Sequence, residues 1–237
     1  MERDSLAYKT RRKLQVMAYH VLPHDFLSKL YFKIYLHEDM DLKNPKKFNE
    51  KLQWLKLKYN AKSPLVVQCS DKYAVRSHIE DCGYGNTLTK LLGVWERAED
   101  IDWDKLPDKF VLKCTHGCAY NILCKDKKTF DKKGATKQLN AWLKENFAAF
   151  NVELHYGEIK PRRIICEEYL GDVIVDYKFF CFNGEPKFFY VSSDLVHDRR
   201  AEIGFFNMDG SKMQMVRDDY KDIGNIKMPE CLQEMIE

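Results

Sequence analysis

The sequence predicts an α+β fold in which the strands pair mainly antiparallel. Two observations lead to this prediction. Short apolar runs in the second half of the chain are joined by compact turn sequences, and helical patterns stand before and between those runs. After an N-terminal helical region the predicted order is strand, strand, helix, strand, strand, strand, which favours hairpins over parallel crossovers.

Composition narrows the class of protein. The 237 residues are 45% hydrophobic and 13% aromatic, which is typical of a globular chain. The net charge of +3 arises from mixed charges along the whole sequence, which argues against a nucleic-acid binder that relies on bulk charge.

Cysteine usage and hydropathy indicate the cellular compartment of the protein. The eight cysteines include no Cys-x-x-Cys pair, and the N-terminus lacks the apolar core of a signal peptide. No stretch approaches the roughly 20 apolar residues of a membrane span. We therefore expect a cytoplasmic protein with free thiols, while the oligomeric state stays open.

The N-terminal region, residues 5–36, has a helical pattern that is broken at residues 22–25. Arg11, Arg12 and Lys13 stand beside apolar residues, a combination typical of helices that lie on a membrane surface. The alternative is a solvated helix that packs on the domain. We favour the second interpretation, and the first would place the protein at the inner face of the membrane.

Two further helices are predicted before the strands. Asn44 and Pro45 are expected to begin the first, in which apolar residues that recur at helical spacing should pack in the core. These residues are Phe48, Leu52, Leu55 and Tyr59, with Trp54 widening the face. Ser70-Asp71 should open the second helix over residues 72–82, with Gly83 as its C-cap.

The most informative stretch is residues 110–127, which is predicted as two short strands joined by a small-residue turn at residues 116–119. Lys113 lies near the end of the first strand, where a buried cation is costly unless an anion meets it. The glycine turn beside it would let backbone N–H groups approach an anion. A phosphate-binding loop and a surface hairpin with a solvated lysine both remain open on this pattern alone.

The remaining elements follow the same logic. A strand is predicted over residues 87–95, a helix over 129–147 and a buried strand over 163–170. Asn183-Gly184 is the strongest short turn signal and predicts a hairpin over residues 173–191. A second hairpin is expected over 205–215, turning at Asp209-Gly210.

Five segments in one order resemble the TupA-like ATP-grasp family of bacterial surface-polysaccharide gene clusters. They are PKKFNEKLQWLKL, DKYAVR, LPDKFVLKCTHG, IKPRRIICEEYL and DYKFFCFNGEP, between Lys43 and about Asp194. The resemblance implies an ATP-grasp-like fold, in which two antiparallel-sheet subdomains clamp ATP. With the helical patterns before it, we expect an N-terminal helical region at residues 1–65 and an ATP-grasp domain at 66–237.

The resemblance assigns roles to individual residues. Lys72 and Lys113 match the lysines that hold the ATP phosphates, with Gly117 and Cys118 in the loop beside them. Lys178 matches the cation that reaches the γ-phosphate. The adenine hinge corresponds to Glu167, Glu168, Tyr169 and Leu170.

Two assignments stay open within this pattern. Either Asp172 or Asp176 could hold the ribose. His116 is a candidate catalytic residue that would touch phosphate or substrate, although a lone loop histidine is more often structural.

The sequence also departs from the family pattern. Cys118-Ala119 stands where the family loop is richer in glycine and serine, so a different loop shape is expected. The chain ends at Glu237, before the Arg-x-Asp and Gly-Glu motifs whose carboxylates would hold Mg²⁺. We therefore expect the fold to be incomplete at its C-terminus, Mg²⁺ dependence to be weak and the metal ligands to be unassigned.

The function implied is that of an ATP-dependent carboxylate–amine ligase that works through an acyl phosphate. Family context makes the carboxylate a uronic or amino acid, or a saccharide that bears one. The alternatives are a sugar-directed kinase or glycosyltransferase of the same pathway, or a non-catalytic nucleotide-binding remnant.

Overall fold

Two four-stranded sheets organise the part of the chain that this computed structural model describes, residues 5–193 and 202–236. The chain divides into two compact units, Met1–Tyr169 and Leu170–Glu237, with one sheet in each. The predicted α+β class is confirmed. The predicted boundary at residues 65/66 stays a prediction about domain organisation.

The first unit contains most of the helices. They are α1 (Leu6–Val21), α2 (His24–Leu36), α3 (Phe48–Lys58), α4 (Pro64–Ser70), α5 (Ala74–Asp81), α6 (Lys132–Lys144) and α7 (Ala148–Asn151). The predicted break between the first two is present, and Ser5 caps α1 by accepting a hydrogen bond from the Tyr8 N–H. Within the described ranges, no helix has the length and apolar character needed to cross a bilayer.

The first sheet has the strand order β1, β4, β2, β3, and every neighbouring pair is antiparallel. Its strands are β1 (Leu91–Trp95), β2 (Phe110–Cys114), β3 (Asn121–Cys124) and β4 (Ile164–Glu168). The strands β2 and β4 lie in the interior of the sheet. Alternate residues on one face, including Phe110, Leu112 and Ile164, form the core with Leu139 of α6.

The second sheet has the order β5, β6, β7, β8 and a smaller core around Phe189, Val191 and Phe206. Its strands are β5 (Val175–Phe182), β6 (Glu185–Ser193), β7 (Glu202–Asn207) and β8 (Lys221–Asp222), and α8 (Leu232–Ile236) follows them. The β7–β8 pair is parallel, so antiparallel pairing does not extend through the whole sheet. The hairpin predicted at Asp209-Gly210 is reduced to an isolated bridge between Phe206 and Lys212.

The predicted start of α3 was wrong. Asn44 does not cap this helix, which begins at Phe48. The Glu50 carboxylate accepts hydrogen bonds from the backbone N–H groups of Lys46 and Lys47, at 3.0 and 2.9 Å. A carboxylate that turns back onto these donors satisfies groups that would otherwise lack partners at a helix start.

The predicted burial of the α3 apolar stripe was also wrong. Phe48, Leu52, Leu55 and Tyr59 are between 39% and 55% exposed. Leu57 is the apolar residue of α3 that enters the core. Helical spacing identifies an apolar stripe, but it does not say which surface the stripe faces.

The start of α5 is set by a side chain that the sequence pattern identified. Asp71 accepts hydrogen bonds from the backbone N–H groups of Tyr73 and Ala74, at 2.8 and 3.3 Å. The predicted start was residue 72, and α5 begins two residues later, at Ala74. Ser70 is the last residue of α4, so it does not open α5. Gly83 has φ +89° just beyond the helix, as the C-cap prediction requires.

The β5–β6 hairpin offers a test of turn chemistry, because Asn183 and Gly184 have φ values of +53° and +84°. No atom lies within 4 Å of a Cβ placed on Gly184, so the cost of Gly184→Ala is backbone strain alone. We expect this substitution to lower the free energy of unfolding by about 1–2 kcal/mol, measured by urea titration. Asn183→Gly should change it little, and equal stability of Gly184→Ala and wild type would contradict the assigned turn.

Candidate functional site

The candidate site is built on the face of the first sheet that points away from the core. Strand alternation and the β2–β4 register place Val111 and Lys113 on this face together with Ile165 and Glu167. Ile165 is fully buried and Val111 is partly buried, so two charged side chains stand beside an apolar floor.

Glu167 is the centre of this group. Its side chain is 9% exposed, and its two carboxylate oxygens are paired separately. Lys113 Nζ lies 2.6 Å from Oε2, and Arg76 Nη1 lies 3.2 Å from Oε1. Arg76 also donates to the Thr89 carbonyl at 2.7 Å, which anchors the guanidinium. A buried carboxylate needs such partners, because an unpaired charge at this depth would be strongly unfavourable.

An anion meets Lys113, as its position in the strand requires, and that anion is the Glu167 carboxylate. The phosphate contact of Lys113 stays a prediction. An ammonium group has three donors, so the bond to Glu167 leaves two for another acceptor. The Lys113 side chain is 30% exposed, so the further hydrogen-bond acceptor can belong to a bound ligand.

Lys72 is the second predicted phosphate ligand, and the structure brings it near Lys113. Its Nζ donates to the carbonyl of Gly117, and its backbone N–H donates to Thr115 at 3.3 Å. Burial lowers the pKa of Lys72, and the Lys113 ammonium acts in the same direction. Two cations that repel each other in this way would both be stabilised by a shared anion.

The loop between β2 and β3 is shaped by close packing at one residue and by a left-handed backbone at another. A Cβ on Gly117 would lie 2.6 Å from the Tyr120 ring and 2.7 Å from the Phe147 ring, so this glycine is required for close packing. The left-handed conformation falls on Ala119, with φ +58°. Cys118 is exposed, and its Sγ lies 3.3 Å from the Tyr156 hydroxyl.

His116 belongs to this loop, and its side chain is fully buried. Its Nε2 is 3.0 Å from the Trp142 carbonyl, and its ring contacts Tyr120. Burial, together with the nearby Arg162 cation, lowers its pKa to about 4. These contacts favour the structural alternative for His116, because a neutral, enclosed imidazole does not reach a phosphate or substrate.

The predicted hinge residues have distinct positions. Glu168 is tied to Lys90 by two hydrogen bonds, from its own N–H to the Lys90 carbonyl and from the Lys90 N–H to its carboxylate. Tyr169 is the last residue of the first unit, and the exposed Leu170 is the first of the second. The chain therefore passes from one unit to the other within the predicted hinge.

Asp176 and Lys178 belong to the second unit. They form an ion pair at 3.0 Å on β5, and both side chains are nearly half exposed. The Lys178 ammonium also lies 5.3 Å from the centre of the Tyr190 ring. Asp172 lies in the loop before β5, and the choice between Asp172 and Asp176 as ribose ligand stays open.

Sequence reasoning missed Arg76, although it lies in the DKYAVR segment. The signal was available, because Arg76 follows Lys72 by four residues, about one helical turn. Asp71 was recognised only as a helix start. Asp71 is buried, and its Oδ2 lies 4.0 Å from Arg163 Nη1. The Thr115 N–H donates to the Arg163 carbonyl, and the Arg163 N–H donates to the Thr115 hydroxyl.

Metal ligands are a separate question. Among the described residues, no three side chains of His, Cys, Asp or Glu are grouped as a metal site. Asp194, at the end of the segments that resemble the family, lies outside the described residues.

Comparison with known proteins gives one family. The model of the TupA-like ATPgrasp family matches residues 50–237. No curated protein and no solved structure matches the chain significantly.

The buried imidazole of His116 predicts a pH dependence of stability. Its pKa of about 4 in the folded protein lies below the ordinary value of 6.5 in the unfolded chain. The unfolded state therefore binds the proton first, and stability present above pH 6.5 should be lost as the pH falls towards 4, by about 3 kcal/mol. Unfolding free energies measured across this range should fall less in His116→Phe, and parallel profiles for the two proteins would contradict the prediction.

Proposed function

Because the chain belongs to the TupA-like ATP-grasp family, we propose that it is an ATP-dependent carboxylate–amine ligase of surface-polysaccharide biosynthesis. The proposed carboxylate substrate is a uronic acid, an amino acid or a saccharide bearing such a group. The family match supports ATP-dependent, ligase-type chemistry in general. The particular reaction and pathway are our proposal.

The observation that carries this proposal is the convergence of Lys72 and Lys113 beside the β2–β3 loop. Each ammonium already donates one hydrogen bond to the protein, to Gly117 and Glu167 respectively, and each has two donors left. A triphosphate that lies between them would relieve their repulsion and accept charge-assisted hydrogen bonds from both. Their partners hold the two lysines in place before the nucleotide arrives, which limits the ordering cost of binding.

The proposed reaction has two steps. A carboxylate oxygen of the substrate attacks the γ-phosphorus of ATP, forming an acyl phosphate and releasing ADP. The amine then attacks the acyl carbon, and inorganic phosphate leaves as the amide forms. Neither step requires a covalent bond to the protein, so the protein's task is to position the reactants and stabilise phosphate charge.

Lys178 is proposed to meet the γ-phosphate, where negative charge shifts during the first step. Its ion pair with Asp176 holds the ammonium near one position on β5. We propose that the backbone at residues 168–170 reads the adenine edge, with Asp172 or Asp176 on the ribose.

Mg²⁺ is expected to arrive with ATP, bound to phosphate oxygens and water. Since the described residues contain no grouped metal ligands, we assign no step of the reaction to a protein-bound metal.

Nucleotide selection tests the proposed class directly. Calorimetric titration should show tighter binding of ATP or ADP than of UDP-sugars, because the hinge would contact a purine edge. With a carboxylate panel, ATP and hydroxylamine, the acyl phosphate should appear as a hydroxamate together with ADP. Tighter binding of a UDP-sugar would favour a glycosyltransferase, and ATP binding without turnover on any substrate pair would favour a non-catalytic remnant.

Substitution of Lys113 tests the phosphate contact. Lys113→Met should weaken ATP binding by about 1.5–3 kcal/mol, roughly 10- to 150-fold, the range for hydrogen bonds between charged groups. The exposed neighbour Lys109 provides a matched control, since Lys109→Met removes the same charge just before β2. Equal affinities of the two variants would contradict the assignment.

The same variant needs a stability control. Lys113→Met leaves Glu167 with Arg76 as its remaining cation, so we expect a loss of about 1–2 kcal/mol in unfolding free energy, below the cost of leaving a buried charge wholly unpaired. Adding Glu167→Gln should lower stability further, because the largely buried Arg76 then loses its carboxylate partner. A loss of unfolding free energy well above 2 kcal/mol in Lys113→Met alone would mean that Lys113 acts on binding through the fold.

A further inference from the structure

Apolar stripes on the N-terminal helices face away from the core of the first unit. In α1, Leu14, Met17 and Val21 recur at helical spacing, and with Leu6 they are between 55% and 82% exposed. The opposite side of α1 faces the protein, where Gln15 donates to the Phe150 carbonyl at 2.7 Å and Arg12 lies over the Phe150 ring. The rotation of α1 is therefore fixed by contacts that leave its apolar stripe outside.

The helix α2 shows the same arrangement. Phe26, Leu30 and Ile34 are spaced by four residues and are between 40% and 54% exposed. Leu27 and Phe32 enter the core from the other side. The helices α1 and α2 pack against each other, and the Arg11 guanidinium contacts the Tyr35 hydroxyl between them.

The cations around these stripes have an uneven distribution. Residues 5–36 contain six Lys and Arg and one Asp, a formal charge of +5, whereas the whole chain carries +3. The exposed cations are Lys9, Arg11, Lys13, Lys29 and Lys33. The single acid, Asp25, is paired with Lys58 at 2.6 Å, and Asp39 just beyond α2 pairs with Lys33.

We propose that these two helices bind the surface of an anionic lipid bilayer. We call the binding surface the basic apolar face, and it consists of the apolar stripes of α1 and α2 with the five exposed cations beside them. The apolar side chains would enter the boundary between headgroups and acyl chains, while the cations meet anionic headgroups.

Charge favours lipid over a second copy of the chain as the partner. An isologous interface would bring the +5 segment of one copy against the same segment of the other, and like charges would repel across it. A bilayer offers both an apolar layer and a uniform negative surface. It therefore matches both properties of the basic apolar face without a complementary acidic patch.

Vesicle co-sedimentation of the full chain tests this proposal. The protein should sediment with vesicles of phosphatidylcholine containing about a third phosphatidylglycerol, and at least tenfold less with phosphatidylcholine alone. Met17→Ser/Val21→Ser should lower the partition coefficient about tenfold by removing exposed apolar contacts. Lys9→Gln/Lys13→Gln should lower it by a similar factor, and added salt should weaken wild-type binding.

Matched controls locate the effect on the protein. Leu65→Ser/Val216→Ser removes exposed apolar side chains elsewhere, and Lys133→Gln/Lys137→Gln removes two exposed cations from α6. Both controls should bind vesicles as the wild type does. All variants should keep wild-type affinity for ATP, so failure of this proposal is distinguishable from failure of the proposed ligase function.

Three results would overturn the proposal. They are no binding of the wild type to anionic vesicles at low salt, equal losses in the test and control variants, or equal binding to anionic and neutral vesicles. Sedimentation velocity distinguishes lipid binding from self-association, which is the remaining explanation for the exposed stripes. A wild-type dimer that Met17→Ser/Val21→Ser converts to a monomer, without vesicle binding, would assign the face to self-association instead of lipid.

Discussion

The buried carboxylate of Glu167 is the constraint on which the candidate site depends. It stands on β4, an interior strand whose Ile164, Ile165 and Cys166 have no exposure, so the charge requires partners within the protein. Lys113 supplies one from β2, and Arg76 supplies the other from α5. One side chain therefore joins a helix to two strands. It also holds Lys113 beside the loop, where its remaining donors can serve an anion.

Close packing of aromatic rings fixes the loop that stands beside these cations. Tyr120 stacks on Trp142 and contacts Phe147, and its hydroxyl donates to Glu145 at 2.6 Å. Gly117 fits against these rings because it has no Cβ, and its carbonyl is then available to orient Lys72. The loop thus positions a cation through its packing. The backbone strain that accompanies this shape is located at Ala119 instead of the glycine.

The N-terminal helices bury few of their apolar side chains and leave the others exposed. Leu27, Phe32 and Leu57 are enough to attach α2 and α3 to a small core, leaving the other apolar stripes outside. A third exposed stripe lies on α3, which packs against α2. Large exposed apolar patches usually mark interaction sites, and the basic flanks of α1 and α2 are the basis of the proposed lipid contact. The proposed lipid contact would then use α1 and α2, and the proposed phosphate contacts at Lys72 and Lys113 lie outside these two helices.

The sequence by itself determined the α+β class, the family, the strong turn at Asn183-Gly184 and the position of β2 and β4. These features follow from local spacing and turn chemistry, and from motifs that occur in one order. Only the tertiary structure decided that Arg76 completes the Glu167 pair, that His116 is enclosed and that the α3 stripe is exposed. Each of these depends on which surface another element covers, and periodicity along a chain carries no record of that. Residues distant in sequence, such as Arg76 and Glu167, become partners only when the sheet and α5 are packed.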